Sequence, residues 1–403
     1  MSRRGRHDSA RTIMRMNRRR MLLSTGAWLG AAVPCLDASP SPTSPGNARN
    51  VSRATSRLVA LSDYEAAARQ RISHMAYEYI AGGAADEITM RWNREAFDTL
   101  RLRPRALVDV DRVDTQVTLF GQTLPHPILL APTAFHRLVH PEGEVETARG
   151  AGQAGATFVV SSFSTRRMTD IARAATAPLW FQFFAVRRDN AAFLRDTIQE
   201  VEGLGCRALV ITVDVPVAGA RNRAERAGFR LPENFETPYF PDRKQVKQQA
   251  GQPISGSCTW DDVAWLRSLT RLPVLLKGIL HPDDAEQAVR AGVGGLIVSN
   301  HGGRSLDTLP ASLSALPQIV DRVAGRVPIL LDSGIRRGTD VLKALALGAR
   351  AVLIGRPYLY GLGVAGANGV TQVVNILCRE LEMALALTGR PTLADIDPSV
   401  LWR

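Results

Sequence analysis

Eight short apolar runs recur between residues 128 and 356, and each is followed by a stretch of helical character, rich in alanine and charged residues. Runs that are apolar throughout are typical of parallel strands buried on both faces. Their alternation with helices favours repeated βα units, and eight units in this length predict a closed (β/α)8 TIM barrel. The runs begin at Ile128, Thr157, Leu179, Ala208, Val274, Gly295, Pro328 and Ala351.

The main alternative is an open, doubly wound sheet of the kind that binds dinucleotides. That fold carries a GxGxxG turn after a strand, with an acidic residue further along the chain. This pattern follows none of the eight runs, so the sequence favours the closed barrel.

Two further segments frame the barrel. The sequence LSDYEAAARQRISHMAYEYIAGGA, from Leu61, predicts an N-terminal extension that forms one amphipathic helix, capped by Ser62 or Asp63 and stopped at Gly82 and Gly83. A long polar connection, rich in Pro, Gly and Gln, runs between the fourth and fifth runs. Connections of this length predict either a lid over a site or a disordered segment.

Polar residues follow nearly every apolar run. A single residue of this kind is more often structural than catalytic, but chemistry in such barrels collects at the carboxyl ends of the strands. A ring of eight polar strand ends therefore predicts one functional site. The ring comprises Pro132, Thr133 and Ala134; Ser161; Gln182; Thr212 and Asp214; Lys277; Ser299, His301 and Arg304; Asp332, Ser333, Gly334 and Arg336; and Gly355 and Arg356.

The last two strand ends predict an anion site. The sequences DSGIRRGTD and IGRP place glycines and arginines where the seventh and eighth strands meet their helices. Barrels of this class habitually bind phosphate there, through backbone N–H groups, helix amino ends and guanidinium groups. A phosphorylated ligand is therefore expected.

Residues 1–57 form a basic leader, and residues 58–403 form the predicted barrel domain. The leader contains eleven arginines and two aspartates, which account for nine of the twelve net positive charges on the chain. The charge that remains on the barrel is too small to indicate a nucleic-acid partner. Four widely spaced cysteines show no metal-binding or disulfide pattern, so we expect no metal site.

The leader has the order of a signal peptide: an arginine-rich start, a short apolar run from Met21 to Val33, and a Pro- and Ser-rich segment. The apolar run is too short to span a bilayer. Arg19 and Arg20 resemble a twin-arginine signal, although a third arginine replaces the usual Ser or Thr before the pair. We expect export to the periplasm. A disordered basic tail on a cytoplasmic protein is the alternative.

Several motifs, in order, resemble the FMN-dependent α-hydroxy acid oxidase and dehydrogenase family, which includes glycolate oxidase, lactate oxidase and the flavin domain of flavocytochrome b2. The motifs are APTAFHRLVHPEGE, ITVDVP, LLKGI, SNHGGRSLD, DSGIRRGTDVLKALALGA and IGRP. The resemblance runs from about Leu61 to about Asp395. It implies FMN as cofactor and oxidation of an L-2-hydroxy acid to the 2-oxo acid.

The resemblance also implies roles for individual residues. His301 would be the catalytic base, supported by Asp214, and Arg221, Arg304 and Tyr79 would bind the substrate carboxylate. Lys277 would stabilise negative charge on the reduced flavin. The ring of FMN would contact Pro132 to Ala134, Ser161, Gln182, Thr212 and Ser299; its ribityl and phosphate groups would contact Asp332, Ser333, Gly334, Arg336, Gly355 and Arg356.

Two positions depart from the family pattern. Phe184 stands where the family's oxidases usually have a tyrosine that points at the substrate, and Phe163 stands where glycolate oxidase has a tryptophan. Both substitutions are expected to line the substrate pocket and to favour lactate-like or larger apolar hydroxy acids over glycolate.

Three functions are compatible with these residues. The first is hydroxy acid oxidation, with O2, a quinone or a cytochrome as electron acceptor and with a homo-oligomeric assembly suggested by the resemblance. We expect no fused cytochrome, since no haem-binding domain precedes the barrel. The second function is other chemistry on an FMN-binding barrel, such as isomerisation. The third is a secreted flavin- or anion-binding protein that has lost activity through Phe184. The carboxylate-binding set around His301 favours the first.

Overall fold

The computed structural model describes residues 57–184, 188–240 and 258–402. The leader, with the proposed export signal, lies outside these residues, as does the middle of the long connection.

Eight parallel strands form a closed barrel, in which the last barrel strand pairs with the first. Each of the eight apolar runs contains one of these strands, so the predicted TIM barrel is confirmed and the open sheet is excluded. The barrel strands are β4 (Ile128–Leu130), β5 (Phe158–Ser161), β6 (Leu179–Phe183), β7 (Leu209–Thr212), β8 (Val274–Ile279), β9 (Gly295–Val298), β10 (Ile329–Leu331) and β11 (Ala351–Ile354).

Among the described residues, four short strands lie outside the barrel. Strands β1 (Arg101–Leu102) and β12 (Leu401–Trp402) pair antiparallel, so the C-terminal end of the described chain lies against a segment that precedes the barrel. Strands β2 (Val117–Leu119) and β3 (Gln122–Leu124) form a hairpin. Apolar side chains of this hairpin join the cluster that fills the barrel interior, which gives the barrel a packed core.

Helices surround the barrel and cover the outer faces of its strands. Their apolar residues form, with the outward side chains of the strands, the larger core of the molecule. The helices are α1 (Leu61–Arg71), α2 (His74–Ala81), α3 (Ile88–Thr99), α4 (Glu144–Gln153), α5 (Met168–Ala174), α6 (Ala191–Gly203), α7 (Asn222–Arg226), α8 (Trp260–Ser268), α9 (Pro282–Arg290), α10 (Ser312–Val323), α11 (Gly338–Ala346) and α12 (Arg356–Thr388).

The N-terminal extension is helical, as predicted, but it consists of two helices where one was expected. Helix α2 begins after Ser73, whose side chain accepts a hydrogen bond from the Ala76 N–H at 3.3 Å. The predicted N-cap of α1 is also wrong, because the cap is Ala60 and Asp63 lies at the third helical position. The end of the extension at Gly82 is confirmed.

Helix α12 is the longest, and it is kinked. Gly366 has φ +58°, and the Glu146 carboxylate accepts a hydrogen bond from the Ala367 N–H at 2.9 Å, which starts the second half of the helix. Among the described helices, α12 alone is long and apolar enough to cross a membrane. Most of its apolar surface is buried against the barrel and neighbouring helices, so we interpret it as a core helix.

Candidate active site

A cavity opens at the carboxyl ends of the barrel strands. It collects most of the residues that the sequence analysis singled out, although they are spread over more than 270 positions of the chain. The predicted residues in its wall are Tyr79, Pro132, Thr133, Ala134, Ser161, Phe163, Phe184, Arg221, Lys277, His301, Arg304, Asp332, Ser333, Gly334, Arg336, Gly355 and Arg356.

Three predicted flavin-binding residues, Gln182, Thr212 and Ser299, are fully buried beside this wall. The Ser161 hydroxyl donates to the Gln182 side-chain oxygen at 2.9 Å, and the Gln182 amide donates to the Thr212 hydroxyl at 3.0 Å. Strand register brings these side chains together, since Ser161 pairs with Gln182. The strand ends of β5, β6 and β7 are therefore joined by one polar chain.

His301 and Asp214 form the central pair of the site. The imidazole Nδ1 lies 3.0 Å from the Asp214 carboxylate, which is buried behind it. Gly278 permits this arrangement, because a side chain there would overlap the Asp214 side chain at 2.4 Å. Asp214 fixes the orientation of the ring and leaves its other nitrogen, Nε2, as the basic atom.

The charge states of this pair suit a base. Burial lowers the pKa of His301, and Lys277 and Arg221 act in the same direction, whereas Asp214 raises it. The lowering effects prevail, so the pKa of His301 lies below its ordinary value of 6.5. Burial would raise the pKa of Asp214, but the effects of His301 and Lys277 prevail and hold it below its ordinary value. Near neutral pH, the imidazole is thus uncharged and the carboxylate is ionised.

Lys277 is a buried cation in the middle of the cavity wall. Its ammonium group lies 2.9 Å from the Asp332 carboxylate and donates to the Ser299 hydroxyl at 2.9 Å. Burial would lower the pKa of Lys277, but Asp332 and Asp214 raise it above its ordinary value. Lys277 is therefore a permanent positive charge beside His301.

Arg304 is held in the cavity by the N-terminal extension. Its guanidinium group donates to the carbonyl oxygens of Tyr79 at 2.8 Å and Gly82 at 2.7 Å, and it lies 5.2 Å from the Tyr79 ring centre. Arg221 lies in the same wall, immediately before α7. Burial and the nearby Arg221 lower the pKa of Arg304 well below its ordinary value. Burying two positive charges close together is unfavourable, and a carboxylate bound between the guanidinium groups of Arg221 and Arg304 would offset this cost.

Another part of the wall, formed by Arg336, Arg356, Gly334 and Gly355, carries the residues of the predicted anion site. Arg356 donates to the carbonyl oxygen of Gly302 at 2.9 Å. Burial, with Arg356 and other nearby arginines, lowers the pKa of Arg336 to about 10. Gly355 directly precedes α12, so the amino end of that helix also faces this region.

These features fit FMN. The described wall contains five Arg or Lys side chains and only one carboxylate, that of Asp332. This excess of positive charge suits two anionic groups, the phosphate of FMN and the carboxylate of a substrate. The buried guanidinium groups at one end would hold the phosphate, and Lys277 lies where charge on the ring would need stabilisation.

An aromatic wall closes the catalytic end. Phe163 lies 4.8 Å from Phe184 and 4.4 Å from Phe240, measured between ring centres, and Phe184 lies 5.9 Å from the His301 ring. Tyr79 stacks on Phe229 at 3.9 Å. Phe184 thus faces the cavity beside the base.

Sequence reasoning missed several residues that shape the site. Phe229 and Phe240 belong to the long connection. Their aromatic side chains, in an otherwise polar segment, were the feature that could have marked them as part of the site. Asn93 and Arg94 lie on α3, and Arg94 donates a short hydrogen bond to the Gly334 carbonyl oxygen. No feature of the α3 sequence marks these two residues, because their partners come from loops more than 200 residues away.

Comparisons with known proteins agree with this geometry. The sequence profile of the family described as FMN-dependent dehydrogenase matches residues 68–403. An L-lactate oxidase from Nostoc sp. is 44% identical over 363 residues, which cover 86% of this chain and 99% of the relative. A 2-hydroxyacid oxidase 2 from Homo sapiens is 44% identical over 346 residues, which cover 85% and 98% of the two chains.

Solved structures are similar as well. An oxidised active mutant of (S)-mandelate dehydrogenase superposes with a TM-score of 0.80 at 35% identity, over 86% of this chain and 99% of its own. Mandelate oxidase with (S)-2-phenylpropionate superposes with a TM-score of 0.78 at 39% identity, over 85% and 98% of the two chains. The reaction class is FMN-dependent oxidation of a 2-hydroxy acid, and this chain belongs to the FMN-dependent α-hydroxy acid dehydrogenase family.

Proposed function

We propose that this enzyme oxidises (S)-2-hydroxy acids with apolar or aromatic side chains to the corresponding 2-oxo acids. The observation that carries the proposal is the His301–Asp214 pair, which lies between two arginines and an aromatic wall. The arginines suit the carboxylate that every such substrate has, and the wall suits an apolar side chain.

The geometry supports a separate role for each residue of the site. Arg221 and Arg304 bind the carboxylate and, with Tyr79, orient the substrate so that its hydroxyl-bearing carbon faces the base. His301 accepts, at Nε2, one of the two protons that the substrate loses. Asp214 then stabilises the imidazolium through the Nδ1 hydrogen bond of 3.0 Å. FMN, when bound, would supply the acceptor for the two electrons and for the second proton.

The position of Phe184 supports a preference for larger acids. Its ring faces Phe163 and lies beside His301, and it offers no hydroxyl to a small polar substrate. The similar structures include mandelate oxidase and (S)-mandelate dehydrogenase, and one relative is named L-lactate oxidase. We therefore place L-mandelate and longer apolar acids above L-lactate, and L-lactate above glycolate.

Molecular oxygen is our proposed electron acceptor, because several relatives are named oxidases. Ala134, whose side chain borders the cavity, is small enough to leave the flavin accessible. A quinone or a cytochrome would replace oxygen if reduced flavin reoxidises slowly in air. Mixing the reduced enzyme with air-saturated buffer distinguishes these acceptors by the rate at which the oxidised flavin spectrum returns.

We also propose that the leader exports the folded, FMN-loaded enzyme to the periplasm. The twin-arginine route carries folded proteins, which agrees with a cofactor that must be loaded first. Replacing Arg19 and Arg20 by Lys should leave FMN-loaded enzyme in the cytoplasm. Wild-type enzyme found only in the cytoplasm, with residues 1–50 uncleaved, would overturn this proposal.

A homo-oligomer is our proposal for the assembly. Light scattering of the purified enzyme tests it directly, since a mass near the 43.8 kDa of one chain would contradict it.

Anaerobic reduction tests the main proposal. Purified enzyme is mixed, without oxygen, with L-mandelate, L-lactate or glycolate, and the flavin absorbance is followed. Bleaching by all three, fastest with mandelate, is expected. No bleaching by any hydroxy acid, despite bound FMN, would instead favour an isomerase-like or inactive protein, and fastest bleaching by glycolate would overturn the proposed preference.

A further inference from the structure

Helix α3 lies outside the barrel, yet one of its residues reaches the loop that carries the base. The side chains of Asn93 on α3 and Asn300, which directly precedes His301, form a reciprocal pair. The Asn93 amide donates to the Asn300 side-chain oxygen at 2.9 Å, and the Asn300 amide donates to the Asn93 side-chain oxygen at 2.7 Å. Both side chains are almost completely buried.

Backbone partners fix the orientation of both amides. The Asn300 side-chain oxygen also accepts from the Gly303 N–H at 3.1 Å, and its amide also donates to the Pro310 carbonyl oxygen at 3.0 Å. The Asn93 side-chain oxygen accepts from the Ser312 N–H at 3.3 Å. Flipping either amide would place donors against donors, so the pair holds the His301 loop in one arrangement.

The conformation of this loop needs such support. His301 has φ +60°, and Gly302 and Gly303 follow at +67° and +72°, so three consecutive residues are left-handed. A positive φ is unfavourable for a residue with a side chain, and such a conformation persists only where surrounding contacts impose it. The Asn300 side chain, bonded to the Gly303 N–H, closes the loop around His301.

Helix α3 is itself fixed by two further contacts. The Asp307 carboxylate accepts hydrogen bonds from the N–H groups of Thr89 at 2.8 Å and Asp86 at 3.0 Å, at the amino end of the helix. One turn further along, Arg94 bonds the Asp340 carboxylate at 2.8 Å as well as the Gly334 carbonyl oxygen. The helix therefore does not move independently of the two loops that border the cavity.

We propose that Asn93 is a positioning residue: through Asn300 it holds His301 in the left-handed conformation that keeps its imidazole against Asp214. Asn93 is not among the described residues that line the cavity. This inference rests on the proposed role of His301 as base, and it extends the active site to a helix outside the barrel.

Asn93→Ala tests the proposal, with Glu95→Ala as the matched control. Glu95 is an exposed residue on the same helix. At saturating L-mandelate, the rate of anaerobic flavin reduction should fall about 10- to 100-fold in Asn93→Ala, because small displacements of a catalytic group have effects of this size. The rate should be unchanged in Glu95→Ala. A rate within twofold of wild type in Asn93→Ala would overturn the proposal.

A titration of His301 supplies a readout that needs no turnover. In enzyme with isotope-labelled histidine, the His301 signal is identified by its absence in His301→Gln. The charged groups around this imidazole are Asp214, which raises its pKa, and Lys277 and Arg221, which lower it. If the loop moves away from Asp214, the pKa of His301 in Asn93→Ala falls below that of wild type.

The titration also separates the two proposals. Failure of wild-type enzyme to be reduced by hydroxy acids would contradict the proposed function, whereas an unchanged His301 titration in Asn93→Ala would contradict the positioning role. If Asn93→Ala does not fold, Asp307→Asn replaces it, because this substitution loosens the same helix at its amino end. An Asp307→Asn enzyme with unchanged reduction rate and unchanged His301 titration would overturn the proposal.

Discussion

The two ends of the cavity are built in different ways. At the catalytic end, the proposed chemistry depends on a few side chains from separate segments, with His301 after β9, Asp214 after β7 and Arg221 in the long connection. At the proposed phosphate end, Arg336 and Arg356 lie in the wall with Gly334 and Gly355, and Gly355 directly precedes α12. The difference predicts that substitutions at the first end change rates, whereas those at the second change cofactor affinity.

His301→Gln should have the largest effect. A positioned base contributes about a thousandfold to rate, so turnover should fall by at least that factor while FMN stays bound. Steady-state turnover and flavin content of the same preparation measure both quantities. A variant within tenfold of wild type would show that the base is another residue.

Asp214→Asn should have a milder effect, about a hundredfold on turnover, because it weakens the support of His301 but leaves the base in place. The pH profile gives a sharper signature. A base works when neutral, so activity is lost as the pH falls through the pKa of His301, which lies below 6.5. Since Asp214 raises that pKa, its loss should move the acid limb to lower pH. A shift to higher pH would contradict the assigned electrostatics.

Arg336→Met should weaken FMN binding about 10- to 100-fold, because it removes a charged donor from the proposed phosphate site. Titration of the apoenzyme with FMN, followed by the quenching of flavin fluorescence, gives the dissociation constant. Arg337→Met is a suitable control, since Arg337 is half exposed and pairs with Glu380 outside the cavity. Equal affinities of the two variants would place the phosphate elsewhere.

Phe184→Tyr should have the smallest effect. The added hydroxyl supplies one hydrogen bond near the base, worth a severalfold change in rate. We expect kcat/KM to rise more for glycolate and L-lactate than for L-mandelate, because the smaller acids gain more from a polar contact. Kinetics on the three acids decide the matter, and equal changes for all three would mean that Phe184 does not select the substrate.

Local sequence patterns were sufficient to predict the barrel and most of the cavity wall. The eight strands are continuous apolar runs, and the chain leaves each strand at the same edge of the barrel, so polar strand ends such as Lys277 and His301 had to converge. The residues of the proposed anion site lie together for the same reason, because Gly334 and Gly355 follow neighbouring strands.

Contacts between distant segments could not be predicted in this way. Asn93 lies within an ordinary helix and acquires its significance from Asn300, 207 positions further along the chain. The break in the N-terminal extension at Ser73 also escaped the helical pattern, because apolar spacing continues across it. The deciding partner of Asn93 lies elsewhere in the fold, whereas that of Ser73 is local, the Ala76 N–H three residues along the chain.

The most direct test of the two proposed ends of the cavity is the rate constant of anaerobic flavin reduction by L-mandelate, measured at saturating FMN in wild type, His301→Gln and Arg336→Met. The rate should fall at least about a thousandfold in His301→Gln. It should stay close to wild type in Arg336→Met, because the defect of this variant is one of FMN affinity and is overcome by excess FMN. Similar losses of rate in both variants, or none in His301→Gln, would contradict the division of the cavity into a catalytic end and a phosphate end.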